Sequence, residues 1–107
     1  MTISKLSNHT ALFASFFYDN PEPMWLYTRD SFRFLAVNNA AKTKYGYSEA
    51  EFLQLTIFDI RPQEDVALLK QTLATLVQGC KKAGVWRHLT KAGDVLYVDI
   101  TSHLTDI

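Results

Sequence analysis

The residues of this sequence that could carry chemistry are three histidines (His9, His88 and His103), the single cysteine Cys80, and an acidic group of Asp59, Glu64 and Asp65. Acid–base catalysis by paired carboxylates requires that they converge in a cleft. These three instead gather about the start of a predicted helix, where negative charge suits the helix dipole and capping accounts for them. Nucleophilic catalysis needs a serine or cysteine beside a base. The scattered serines and Cys80, which is followed by Lys81 and Lys82, form no such motif. No pair of His or Cys residues has zinc-like spacing, and only four glycines are present, none in a phosphate-cradling loop. The chemistry of the chain therefore points away from an enzyme and away from a metal site.

Composition narrows the class further. The 107 residues suit one domain, and 48% hydrophobic with 21% charged residues allows a buried core without disulfides or metals. Eleven basic residues balance eleven acidic ones with no basic stripe for a phosphate backbone, so nucleic-acid binding is not expected. A lone cysteine forms no internal disulfide, and no long apolar run marks a signal peptide or membrane span. A soluble cytoplasmic setting is the resulting expectation, with no membrane insertion by this segment.

The elements that must position these residues follow from periodicity and turn chemistry. Between Ser7 and Asp19, Leu12, Phe13, Phe16 and Phe17 recur at helical spacing, until Pro21 and Pro23 break the pattern. Met24–Thr28 and Arg33–Val37 read as an antiparallel hairpin around Arg29-Asp30-Ser31. Asn38 can cap a helix over Asn39–Tyr45, which Gly46 ends, and Ser48 with Glu51 has the spacing of a capping box. Thr56–Ile60 reads as one more helical turn. The longest helix is expected after Pro62, with Val66, Leu69, Leu73 and Leu76 on its core face and Gly79 at its end. Val85–Thr90 and Val95–Ser102 form a second hairpin around Lys91-Ala92-Gly93-Asp94. Helices set between strand pairs predict an α+β domain with an antiparallel sheet.

This order resembles the PAS plan, and particular residues carry the resemblance. Asn38-Asn39-Ala40-Ala41, Tyr45-Gly46-Tyr47-Ser48 and Glu51-Phe52-Leu53 are similar to the family's stretch from the second strand through its first two helices. Pro62 to Asp65 resembles the proline-and-acid opening of the family's long helix. Trp86-Arg87-His88 with Lys91-Ala92-Gly93 resembles its lysine-aspartate-glycine hairpin, with Ala92 where the aspartate is usual. Pro23-Met24-Trp25-Leu26-Tyr27 is similar to PAS modules upstream of histidine kinases and of GGDEF/EAL domains that make or hydrolyse cyclic dinucleotides. The resemblance spans roughly residues 21–102. It implies a cap over residues 1–20 and a PAS core over 21–107 that stops short of the family's fifth, central strand. Either a four-stranded sheet with an exposed inner edge or an edge covered by a second chain is then expected.

The resemblance also implies a ligand cavity between sheet and helices, which in the family takes small molecules, haem or flavin. Covalent flavin photochemistry would need a cysteine in the short helices, and haem a histidine on the long one; neither is present in those stretches, so both are disfavoured and the cofactor is left open. His88 reads as a strand histidine with one nitrogen toward solvent. The candidate cavity is apolar: Leu35, Val37, Phe52, Ile57, Ile60, Leu69, Leu73, Trp86, Val98 and Ile100, with Arg87 and Tyr97 as polar contacts and Trp25 able to pack or stack. A packed core with no ligand is the competing reading. Leu12, Phe13, Phe16 and Phe17 present more apolar area than a solvated cap needs. They predict packing on the outer sheet face or on the same helix of a second chain. The resulting expectation is a homodimeric sensory module serving an output domain of a histidine kinase or a diguanylate cyclase or phosphodiesterase; a ligand-free dimerisation module is the alternative.

Overall fold

The structure is a computed structural model that describes residues 3–75 and 79–104. The chain forms two compact units, Met1–Ile57 and Phe58–Ile107.

In the first unit, helix α1 runs over Ile3–Tyr18, starting earlier than expected and surpassing the predicted long helix in length. Strands β1 (Trp25–Tyr27) and β2 (Phe34–Val37) pair antiparallel, Trp25 opposite Val37 and Leu26 opposite Ala36. Tyr27 then faces Phe34, so Leu35 is an extra, bulged residue. The bulge breaks the two-residue alternation and puts both Phe34 and Val37 into the core. In the connecting turn Phe32 adopts φ 59°, a left-handed conformation uncommon for a bulky side chain.

Helix α2 (Asn39–Tyr45) forms as its capping residues dictate: the Asn38 side chain accepts from the Ala41 amide, and Gly46 at φ 82° closes the last turn. The capping box before α3 (Glu49–Phe52) is complete. Glu51 N donates to Ser48 Oγ at 3.2 Å and Ser48 N to Glu51 Oε1 at 2.9 Å. Thr56, expected in a helical turn, is instead extended and bridges Arg33, and Ile57 N donates to Phe32 O at 2.9 Å.

In the second unit a 3-10 turn over Gln63–Asp65 leads into α4 (Val66–Ala74), whose Leu69 and Leu73 are buried as predicted. The helix ends sooner than the glycine signal implied. The Thr75 hydroxyl donates to Thr72 O at 2.8 Å and the Thr75 amide to the same carbonyl at 3.1 Å, tightening the last turn. Leu76 lies outside the described residues. Gly79 opens β3 (Gly79–Leu89), opposite Leu104 of β4 (Val95–Leu104). Strand β3 is thus longer than predicted and includes Cys80, opposite His103. A second bulge leaves Ala83 without an opposite residue, and Gly84 takes φ 87° beside it. Gly93 closes the hairpin at φ 93°.

The first of the two expected arrangements, one four-stranded sheet, is not seen among the described strands: β1 bonds to β2 and β3 to β4 as two two-stranded antiparallel sheets. Among the described residues no helix is long and apolar enough to cross a membrane.

Candidate functional site

The core of the first unit is a cluster of rings. Trp25 meets Phe34 and Tyr45 edge to face at 5.6 and 5.5 Å, and Phe52 meets Phe34 at 5.2 Å and Tyr47 at 5.3 Å. Such offset geometry lets the positive ring edge approach a negative face while filling volume. Val37, Phe52 and Ile57, all predicted to line a cavity, are buried here. Leu35 is 58% exposed, because the bulge turns it outward. Phe34 and Tyr45, absent from the predicted set, are buried; their size and spacing were the available signal.

Alternation organises the second unit. Trp86 lies opposite Val98 and His88 opposite Leu96, so these residues share one face of the hairpin, while Arg87 opposite Tyr97 belongs to the other. Trp86, Val98 and Ile100 are half-buried, and Ile60, Leu69 and Leu73 are buried with them in this unit. Tyr97, on the opposite face, is 75% exposed. Consecutive strand residues cannot line one cavity, so grouping Arg87 with Trp86, or Tyr97 with Val98, conflicts with the pleat.

Arg87 is committed elsewhere. Its Nε donates to Asp65 Oδ2 at 3.0 Å and its Nη2 to Asp65 Oδ1 at 2.6 Å, with a further contact to Glu64 Oε1 at 3.3 Å. The bidentate hydrogen bonding from Arg87 holds the Asp65 carboxyl below its ordinary range, against a smaller opposing effect of desolvation. The same pairing raises the guanidinium. Asp65 makes no side-chain cap to α4, so capping alone does not explain the acidic group: it anchors a strand arginine 22 residues away.

His88 departs most from its predicted setting. It is fully buried on the inner hairpin face, with neither nitrogen toward solvent. Burial, reinforced by the positive charge of Arg61, pushes its pKa down to about 3, so the ring is neutral at ordinary pH. The Arg61 guanidinium is itself buried and lies 5.8 Å from the Trp86 ring centroid, and Leu89 N donates to Ile60 O at 2.7 Å beside it. Neither α4 nor the short helices α2 and α3 supply a histidine or cysteine, so these helices do not fit an axial haem ligand or a flavin-reactive thiol.

Asn38 is the other buried polar residue that matters, and it joins Met24 just before β1, the first turn of α2 and the chain leaving α1 through four side-chain hydrogen bonds.

The PAS-domain family model matches residues 21–106. The chain belongs to the PAS family. Among solved structures, it is similar to a domain of a sensory box sensor histidine kinase/response regulator from Geobacter sulfurreducens, at 23% identity and TM-score 0.79, covering 94% of this chain and 87% of that one. It is also similar to the PAS domain of an HTR-like protein from Haloarcula marismortui, at 17% identity and TM-score 0.79 over 92% and 80% of the two chains. A PAS domain from a two-component sensor histidine kinase matches at 23% identity and TM-score 0.70, over 96% and 87%. No curated protein matches the chain. At these identities the structural likeness establishes the PAS fold, and the predicted α+β class with antiparallel pairing holds.

Proposed function

We propose that this PAS chain is a sensory and interaction module of a multidomain signal-transduction protein. In this reading, a small ligand or partner alters packing in the core. Dimer geometry passes the change to an output domain. The observation that carries it is the family match over residues 21–106, because PAS modules serve as inputs to other domains. Similarity to domains of sensor histidine kinases supports a kinase as the parent protein. Helix α1 supports the dimer. Leu12, Phe13 and Phe16 are 51%, 68% and 62% exposed on one face, and Phe17, half-buried, packs edge to face on Tyr18. An apolar helix face of this kind gains free energy when a second copy covers it.

The ring cluster around Phe52 favours a second reading, a ligand-free dimerisation module, because five aromatic side chains already fill that core with edge contacts. Native mass spectrometry of the purified chain, compared with a denatured sample, separates the two. A dimer carrying extra mass supports sensing by ligand; a bare dimer supports the ligand-free reading; a bare monomer contradicts both.

A further inference from the structure

We infer that Asn38 is a clamp that fixes the direction in which α1 leaves the first unit, acting through hydrogen-bond donors that its helix-capping role does not use. Between Tyr18 and Trp25 the chain runs through Asn20, Pro21, Glu22 and Pro23, and both prolines lack an amide hydrogen. The segment must therefore be held largely by its carbonyls. The Asn38 amide nitrogen donates to Glu22 O at 2.8 Å and to Asn20 O at 3.4 Å, while its oxygen accepts from the Met24 amide at 2.9 Å and the Ala41 amide at 3.0 Å. The backbone completes the grip, with Asn38 N donating to Met24 O at 3.0 Å.

One buried side chain thus uses its acceptor to start α2 and its donors to hold the exit from α1. The hold continues outward. Glu22 N donates to Asn20 Oδ1 at 2.9 Å, Asn39 Nδ2 donates to Asp19 Oδ1 at 3.4 Å, and Ser15 Oγ donates to Asp19 Oδ2 at 3.0 Å in the last turn of α1. The exposed Leu12, Phe13 and Phe16 contribute little burial of their own to steady that part of the helix. The clamp therefore decides where the apolar face points, whether or not that face pairs with a second copy.

Separating the two roles is chemically simple, since aspartate and serine both keep an acceptor for the Ala41 amide. Asn38→Asp replaces the donor with a second oxygen facing two carbonyls, and Asn38→Ser removes both amide N–H donors without adding charge, leaving one shorter hydroxyl in place of the amide. Backbone 15N relaxation of the labelled chain reads the result. In both variants the order parameters over residues 11–22 should fall from the rigid range, about 0.85, to below about 0.6, while those of α2 and β2 stay rigid. Unchanged order over residues 11–22, or an equal loss through α2 and β2, overturns the proposal.

Discussion

Acid should destabilise this protein through one buried ring. His88 has an ordinary value of 6.5 when unfolded and about 3 when folded, because burial and the Arg61 charge both disfavour its cation. A depressed folded value means that the unfolded chain takes up the proton first, so stability is complete above pH 6.5 and declines as pH falls toward 3. Between pH 6.5 and 5 that amounts to about 1.5 pH units at roughly 1.4 kcal/mol each, or about 2 kcal/mol, against a total of about 5–15 kcal/mol for a domain. Asp65 acts in a lower window. Its pKa lies below 3.8, so its stabilisation persists above that value and is lost only in stronger acid. Urea denaturation at pH 7 and pH 5, on the native chain and on His88→Gln, isolates the effect, since His9, His103 and the carboxylates cancel in the difference. The native chain should lose about 2 kcal/mol more than the variant over this interval. Equal losses in the two proteins would refute the placement of a neutral, buried His88.

Further outcomes follow from the packing and charge. Phe52→Ala removes a fully buried ring from among Phe34, Tyr45 and Tyr47 and should cost roughly 3–5 kcal/mol, read as a large fall in the urea midpoint with an unchanged slope. Asp65→Asn ends the bidentate pairing with Arg87; it should lower the melting temperature in dilute buffer, with a smaller difference in concentrated salt, where the native ion pair is screened. At Phe32, φ 59° penalises branching at Cβ, so Phe32→Val should melt below Phe32→Asn although valine is the more hydrophobic replacement.

What the sequence disclosed and what it concealed divides by range. The Asn38 cap, the Gly46 stop and the Ser48–Glu51 box are written within three or four residues of one another, so their chemistry was legible and forms as expected. The end of α4 is also local, but the signal lay in the Thr72 carbonyl taking both Thr75 donors, and Gly79 was a decoy already inside a strand. Leu35 escaped because the bulge that turns it outward depends on its register with Leu26 and Tyr27. Tyr97 and Arg87 were readable from strand parity, since each is adjacent to an inward residue. The Arg87–Asp65 pair and the burial of His88 are products of tertiary contact and carried no local signature. For the same reason the burial of Val37, Phe52, Ile57, Ile60, Leu69 and Leu73 was legible from side-chain type and spacing, whereas the partners of Arg87 follow from the fold.

In the proposed function the exposed face of α1 pairs two copies of this PAS module. Sedimentation velocity over a range of concentrations, on the native chain and on Phe16→Glu, tests it most directly. The native chain should sediment as a dimer and the variant as a monomer that keeps its fold by circular dichroism. A native chain that stays monomeric throughout, or a variant that associates as strongly as the native chain, would contradict it.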